Sequence, residues 1–370
     1  MNKRFIHKIL ATALVAGMTT TAAVAEISLG KKNPDAPVDY IPKLSGLVRG
    51  QFRYDVTDNV SLFRLQNVRL KVAGNATSFL NYVLQCDYGN GGKFTILDAA
   101  AGFHVAGFSA TIGQQTLYFN YDNERGAGGT VFTTNSFASS YMLGYHTEDG
   151  EQVNLGGRDL GLMLSYDFNE RLHTPIKLLA GVFNGTGINK LVWQKSKNFT
   201  TRIEVGDFKR GLSGAFAYYT GKTPNYLLQE DGSTIHQGLR AFDVELRYTA
   251  KRWIIDAGYV NTFVTNVGAE HTNLFYVWGY YKFPINGSKI VKGIYPVLRY
   301  EYAGDLYTGA ADPATLHRMS VGVNLQFNTK HFDSEFRLGA DVPFFKDKPS
   351  NYGSNRDFHS QLVAELKVMF

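Results

Sequence analysis

Every second residue from Phe358 gives Phe358, Ser360, Leu362, Ala364, Leu366, Val368 and Phe370, whereas the alternate set is His359, Gln361, Val363, Glu365, Lys367 and Met369. One register is apolar and the other carries the polar groups, which is the period of a β-strand with one greasy and one wet face. A strand of ~9–11 tilted residues crosses a bilayer as part of a barrel. The same grammar repeats along the chain. It predicts strands at 44–55, 63–74, 79–88, 95–105, 108–115, 158–167, 175–184, 198–206, 211–220, 239–249, 252–262, 273–283, 294–304, 317–328, 332–342 and 357–370. Faces follow from the alternation: in 318–328 the outward set is Met319, Val321, Val323, Leu325 and Phe327, and the inward set is Arg318, Ser320, Gly322, Asn324 and Gln326.

The connections alternate too. One set is mostly short (around Asn75, Ala106-Gly107, Lys251 and Thr329-Lys330), with a longer turn near Gly287. The other is mostly long (116–157, 185–197, 221–238, 305–316 and 343–356), with short members near Asp58 and Gly91. Short periplasmic turns and long outer loops are the asymmetry of bacterial barrels, and an even strand number returns the chain to its starting side. A soluble sandwich also alternates, but its polar face meets water and its apolar face a second sheet. In lipid the sheet must close, because an open edge leaves backbone groups unpaired in hydrocarbon. The fold expected is therefore an all-β transmembrane antiparallel barrel of sixteen strands.

Residues 1–25 change the picture at the other end. A basic start (Lys3, Arg4, Lys8), a short apolar run and Ala23-Val24-Ala25 predict a cleaved secretory signal. The domain reading is signal 1–25, a short periplasmic segment 26–43 and barrel 44–370. Three of the six net positive charges lie in the signal. The weak remaining charge excludes a strongly basic nucleic-acid binder and permits an electropositive pore. The single Cys86 forms no internal disulfide and falls on the apolar register. Trp193, Trp253 and Trp278, with Tyr54, Tyr88, Tyr166, Tyr248 and Phe370, read as interface girdles. No histidine has metal-ligand spacing with another His, Cys or carboxylate pair, Gly126-Ala127-Gly128-Gly129 lacks the Lys-Ser/Thr and the helix pattern of a phosphate cradle, and there is no G-x-S-x-G. The chain therefore reads as a non-enzyme without cofactor or metal.

Several segments resemble the phosphate-selective porin O and P family: Asn67-Val68-Arg69-Leu70-Lys71-Val72, Ile96-Leu97-Asp98-Ala99-Ala100 leading into Ala110-Thr111-Ile112-Gly113-Gln114-Gln115, Gly157-Arg158-Asp159-Leu160-Gly161-Leu162, Leu179-Ala180-Gly181-Val182-Phe183-Asn184-Gly185 and Pro296-Val297-Leu298-Arg299-Tyr300-Glu301-Tyr302. Their order and spacing run over most of the mature chain. The resemblance implies a sixteen-stranded outer-membrane barrel of a Gram-negative bacterium, a homotrimer, and passive diffusion of small solutes or inorganic anions. The ending is similar to the C-terminal strand of bacterial outer-membrane proteins, whose final aromatic, here Phe370, is read by the barrel-assembly machinery. One departure from the phosphate-specific members is that inward acids are mixed with the bases.

Function in such a barrel rests on lumenal charge and on whatever narrows the bore. The inward bases expected to line the pore are Arg49, Arg53, Arg69, Lys71, Arg202, Arg247, Arg299, Arg318 and Arg337. The inward acids are Asp87, Asp98, Asp159, Asp243, Glu245, Glu301 and Glu335. Some of these are expected to pair across strands and stiffen the wall. Segment 116–157 exceeds the ~12–15 residues of ordinary loops and is rich in aromatics. It follows the fifth strand, where general and phosphate-selective porins fold a loop into the lumen. The expectation is a constriction with Asp122, Glu124, Arg125, Glu148 and Asp149 near the eyelet. The competing readings are a plugged adhesin or structural barrel and, further off, a barrel enzyme. Ion flux separates a plugged barrel from a porin.

Overall fold

The structure, a computed structural model, describes residues 27–28, 39–89, 92–142, 157–191, 193, 195–228, 234–264, 271–306, 314–329, 332–348, 352–353 and 356–370. The segment read as a signal lies outside the described residues. Sixteen long strands follow one another: β1 (Lys43–Asp55), β2 (Val60–Asn75), β3 (Leu80–Asp87), β4 (Thr95–Val105), β5 (Phe108–Thr116), β6 (Arg158–Asp167), β7 (Ile176–Phe183), β8 (Asn198–Asp207), β9 (Arg210–Leu228), β10 (Thr234–Thr249), β11 (Trp253–Val264), β12 (His271–Tyr281), β13 (Val291–Leu306), β14 (Ala314–Phe327), β15 (Asp333–Asp347) and β16 (Gln361–Met369). Two-residue extensions at Ile27–Ser28 and Phe283–Pro284 pair with β1 and β13.

Each strand pairs antiparallel with its sequence neighbours, and β16 pairs with β1 from Gln361↔Asp55 to Met369↔Leu47. The sheet is thus a closed barrel without a free edge, the only strand arrangement that satisfies its backbone in hydrocarbon. The seam is reinforced at its end: Gly46 N donates to Phe370 O (2.7 Å) and Phe370 N to Gly46 O (3.1 Å). A Cβ on Gly46 would stand 2.3 Å from the Phe370 ring, so a side chain there would displace the terminal aromatic.

Burial is inverted relative to a soluble protein. Along β14, Arg318, Ser320 and Asn324 are buried, while Met319, Val321 and Val323 are exposed. β16 repeats this, with Glu365 and Lys367 buried and Leu362 and Leu366 exposed. The polar register therefore faces the inside and the apolar register the surroundings, which suits a lipid exterior. Aromatic pairs gather at the short-turn end: Tyr166–Phe168, Tyr248–Trp253 and Tyr281–Phe283, each with centroids 4.7–4.9 Å apart. Trp278 is a correction to the girdle. It lies on the inner register of β12, buried beneath the Arg125 guanidinium at 4.4 Å. Cys86 is half-buried on β3, its thiol 3.8 Å from Leu70 O.

Candidate functional site

The long connection after β5 begins with Leu117 N donating to Gly157 O (2.8 Å). Its described part, 117–142, carries a short helix α1 (Tyr121–Gly129) where the sequence pattern gave only loop. Asn120 Oδ1 caps the helix by accepting from Asp122 N (2.9 Å), and the backbone breaks at Gly126, whose φ of 61° and ψ of −176° no ordinary helical residue adopts. Residues 130–137 then run without a strand partner, so their carbonyls need donors from elsewhere.

The barrel wall supplies them. Arg337 Nη2 donates to Thr130 O, Asn324 Nδ2 to Val131 O and Gln51 Nε2 to Thr133 O, each at 2.8 Å. Arg299 Nη1 donates to Thr134 O (3.3 Å) and Arg318 Nη2 to Asn135 O (2.8 Å). In the other sense, Tyr121 N donates to Glu245 Oε1 (2.9 Å) and Phe137 N to Glu301 Oε1 (2.7 Å). Rings add to the contact: Arg247 lies 3.7 Å over Tyr121, and Arg318 3.8 Å over Phe137. Cations over aromatic faces gain most when water is excluded. Gly339 of β15 admits the segment, since a Cβ there would lie 2.6 Å from Thr133 Oγ1. Tyr121 stacks on Phe208 in the β8–β9 turn at the short end (4.9 Å). Tyr141 donates to Asp357 at the long end (3.1 Å). The segment therefore touches both ends of the barrel.

This places the sequence-predicted residues in two groups. Arg49, Arg202, Arg247, Arg299, Arg318 and Arg337 are each 4 % exposed or less and buried with their counter-ions. Glu365 is shared between Arg49 (2.8 Å) and Arg337 (3.1 Å); Glu301 serves Arg299 (3.1 Å) and Arg318; Glu245 lies 2.8 Å from Arg202; Asp256 pairs with Arg247; Glu335 pairs with Arg337. Asp243 Oδ2 accepts from Asn120 (3.3 Å). These groups form a fixed scaffold behind the segment.

The second group borders open space on the β2–β7 side. A cavity of about 140 Å³ is lined by the bases Arg69, Lys93, Arg125, Arg158 and Arg299 and by the acids Asp87 and Asp122. Another, of about 80 Å³, is lined by Lys71, Lys177, His104 and Asp98. Arg69 pairs with Asp87 (2.7 Å), Arg158 with Asp98 (2.9 Å) and Arg125 with Asp122 (2.5 Å). Burial pushes the Asp122 carboxyl up, but Arg125 and the Ser136 hydroxyl outweigh it and hold the group below the usual carboxylate range. Asp159 is buried and accepts from Leu160 N (2.7 Å) and Gly185 N (2.5 Å), tying β6 to the next outer loop. Arg53 is half-buried and donates to Gln51 Oε1 (3.2 Å). The Glu124 side chain, Glu148 and Asp149 lie outside the described residues.

The pore-lining set expected from the sequence omits Arg158, Lys177, Glu365 and Lys367, although the alternation in 358–370 had put the last two on the polar register. Parity puts Arg158 on the outer face, but it is the first residue of β6 and its side chain swings over the strand end to Asp98. Glu365 and Lys367 sit on the polar register of β16, whereas Lys177 shares its inner register with Leu179, Gly181 and Phe183, and alternation of polar and apolar residues does not mark it. Ser109 Oγ also lies 2.7 Å from His104 Nδ1, with Glu170 Oε1 3.3 Å from Nε2. His104 and Ser109 are directly opposed cross-strand partners in the β4–β5 hairpin, which accounts for the contact without chemistry.

No protein family and no curated protein matches the chain. Solved structures do. OmpF of Salmonella typhi, in complex with daunomycin, is 15% identical with a TM-score of 0.66, over 90% of this chain and 98% of that one. The anion-selective porin from Comamonas acidovorans is 13% identical with a TM-score of 0.59, over 89% and 98%. The trimer form of in-vitro folded OmpT, an outer membrane protein of Vibrio cholerae, is 13% identical with a TM-score of 0.57, over 89% and 99%. At these identities the likeness is one of fold: the chain has the closed sixteen-stranded antiparallel architecture of porins.

Proposed function

We propose that this protein is an outer-membrane porin that passes small hydrophilic solutes by diffusion, with a lean towards anions. The observation that carries the reading is a closed barrel with an ionic interior and an apolar exterior, whose open space is bordered by Arg69, Lys71, Lys93, Arg125, Arg158 and Lys177 against Asp87, Asp98 and Asp122, with the Glu301-paired Arg299 at its edge. A surplus of fixed cations along a narrow, weakly screened path favours anion entry. In this reading segment 117–142 fills the β8–β1 side of the lumen and narrows the passage to a slot along β2–β7, with Asp122 and Arg125 on its inner rim. Phosphate preference is a finer proposal, weakened by the acid beside each of Arg69, Arg125 and Arg158. The further parts are export by residues 1–25, a periplasmic 26–43, assembly through Phe370, and a homotrimer in the outer membrane of a Gram-negative bacterium. The fold shared with a trimer form supports the last.

The test is planar-bilayer recording of the refolded chain lacking residues 1–25 across a tenfold KCl gradient. Current steps with an anion-signed reversal potential are expected, and deletion of 121–137 raises the step size several-fold. The second reading is a plugged structural barrel, favoured by the contacts of the segment with both ends. A folded barrel without conductance selects it. A cation sign removes the anion lean.

A further inference from the structure

At the long end of the barrel, the turn after β1 and the turn before β16 meet in a cluster of charged side chains. Asp55 and Asp58 come from the first, Arg356 and His359 from the second. The backbone joins the same pieces, with Val56 N donating to Ser360 O (2.8 Å) and Ser360 N to Thr57 Oγ1 (3.2 Å). His359 and Asp55 are buried, whereas the side chains of Arg356 (41%) and Asp58 (39%) are partly exposed.

The partners of the His359 ring fix its protonation. Tyr352 O lies 2.9 Å from Nε2, and a carbonyl only accepts, so Nε2 carries a hydrogen. Asp55 Oδ2 lies 2.7 Å from Nδ1. That oxygen also accepts from Arg356 Nη1 (2.5 Å), and Asp55 Oδ1 accepts from Thr57 N (2.9 Å) and Asp58 N (3.1 Å). Asp55 is thus an ionised acceptor with no proton to give, and Nδ1 carries a hydrogen as well. The ring is an imidazolium, and two cations face two acids. Asp58 Oδ2 lies 3.7 Å from Nδ1 and Arg356 Nη1 3.4 Å from it. The Tyr352 ring covers His359 at 5.1 Å, and Lys348 lies 4.0 Å over that ring. Loss of the second proton would turn a lone pair of Nδ1 towards the Asp55 carboxylate and leave one cation for two acids.

The cluster is tied to the lumen segment through its neighbours in sequence. Asp357 accepts from the Tyr141 hydroxyl (3.1 Å). Phe358 is fully buried, with its ring 6.5 Å from Tyr141 and 5.3 Å from Phe345. Tyr141 belongs to the turn Ala138–Met142, where the described part of the segment ends. We propose that Asp55, Asp58, Arg356 and His359 form a proton-operated latch at the outer mouth. With His359 charged, the latch holds Phe358 and Asp357 in place, and through them the outer end of segment 117–142; neutral His359 releases that end. Histidine is the side chain whose charge ordinarily changes near physiological pH. Stability that depends on a bound proton is present at low pH and lost as pH rises, so the latch closes towards acid and opens towards alkali. In the porin reading, on which this consequence rests, opening lets the outer end of the segment move within the passage.

Hydrogen exchange of the refolded chain in uncharged detergent tests the latch without ion flux. Exchange is followed at about pH 5.5 and about pH 8.5, each rate divided by the intrinsic rate at that pH. Amides of 138–142 and 356–361 are expected to lose protection about tenfold at the higher pH, the scale of one charge-assisted hydrogen bond. His359→Gln should show the low protection at both values. His104→Gln, at the opposite end, should keep the wild-type response. Asp58→Asn, on the exposed side, removes one of the two acids and should shrink the response. Unchanged protection in the wild type, a response that survives His359→Gln, or an undiminished response in Asp58→Asn overturns the proposal. So does protection at the higher pH restored by micromolar zinc, which would make Asp55, Asp58 and His359 a metal site. A barrel that shows the response and carries no current overturns the porin reading alone.

Discussion

Arg337 and Arg158 are both inward arginines with a carboxylate partner, yet they belong to different regions of the barrel. Arg337 is fully buried between Glu335, Glu365 and the carbonyl of Thr130. Arg158 pairs with Asp98 at the edge of a cavity. The same contrast holds over much of the wall: from β8 to β1 most of the polar register is spent on holding segment 117–142, although Arg299 also reaches the cavity edge, and Arg69, Lys71, Asp87 and Asp98 of β2–β4 border open space. Charge on the inner register is therefore a poor guide to the pore by itself. What matters is whether another piece of chain already uses that charge.

The contrast can be broken at its most dependent point. Glu365→Gln leaves Arg49 and Arg337 buried beside each other with one counter-ion removed. Stripping one partner from a buried ion pair costs about 3–5 kcal/mol, so the urea midpoint of the refolded barrel should fall sharply. Asp98→Asn, at the edge of a cavity and with a single arginine partner, should lower it less. Equal losses would erase the distinction between the regions. Next in size is Gly339→Val, which drives a side chain into Thr133. Overpacking of this kind costs about 1–3 kcal/mol, and displacement of the segment should raise current noise in single-channel records.

The open side is sharpened by removing charge without harming the fold. Arg158→Gln with Lys177→Gln should move the reversal potential towards cations, with a stability change within about 1 kcal/mol. The matched pair Arg318→Gln with Arg337→Gln should instead fail in refolding. The smallest effect comes from acid. The Asp122 carboxyl is held below its ordinary value near ~4, so its contribution is present above that pH and is lost as pH falls through the folded value. The wild-type urea midpoint should drop between pH 5 and pH 3 by more than that of Asp122→Asn.

Most of the wall was legible from alternation, because a barrel strand has lipid on one side and polar groups on the other and the period of 2 survives without tertiary help. Four strand ends departed from it most: β10 starts at Thr234 where the pattern began at 239, β15 runs to Asp347 where it stopped at 342, and the ends of β9 and β16 have a visible cause. β9 continues to Leu228 past Pro224, where the pattern stopped at 220. The register slips between Lys222 and Tyr226 to accommodate the proline, which cannot donate to the ladder. β16 begins at Gln361 and not at 357, because Arg356–Phe358 forms a turn that buries Phe358 against Phe345 (5.3 Å). The site was legible only in part. The inward side of Arg299, Arg318 and Arg337 followed from parity, but besides Glu301, Glu335 and Glu365 they also hold the backbone carbonyls of Thr134, Asn135 and Thr130. Any residue supplies a carbonyl, so no side-chain pattern in 130–135 announces that the wall will hold it.

The most direct measurement is thiol accessibility during bilayer recording, in a Cys86→Ser background. Ser165→Cys and Thr111→Cys border the cavity of about 80 Å³, whereas Ser320→Cys and Ser213→Cys are buried on the inner register of β14 and β9. A negatively charged methanethiosulfonate is added to the bath. If the passage follows β2–β7, current falls stepwise in the first pair only and the second pair is untouched. Block at Ser320→Cys or Ser213→Cys, or none at Ser165→Cys and Thr111→Cys, would contradict the account.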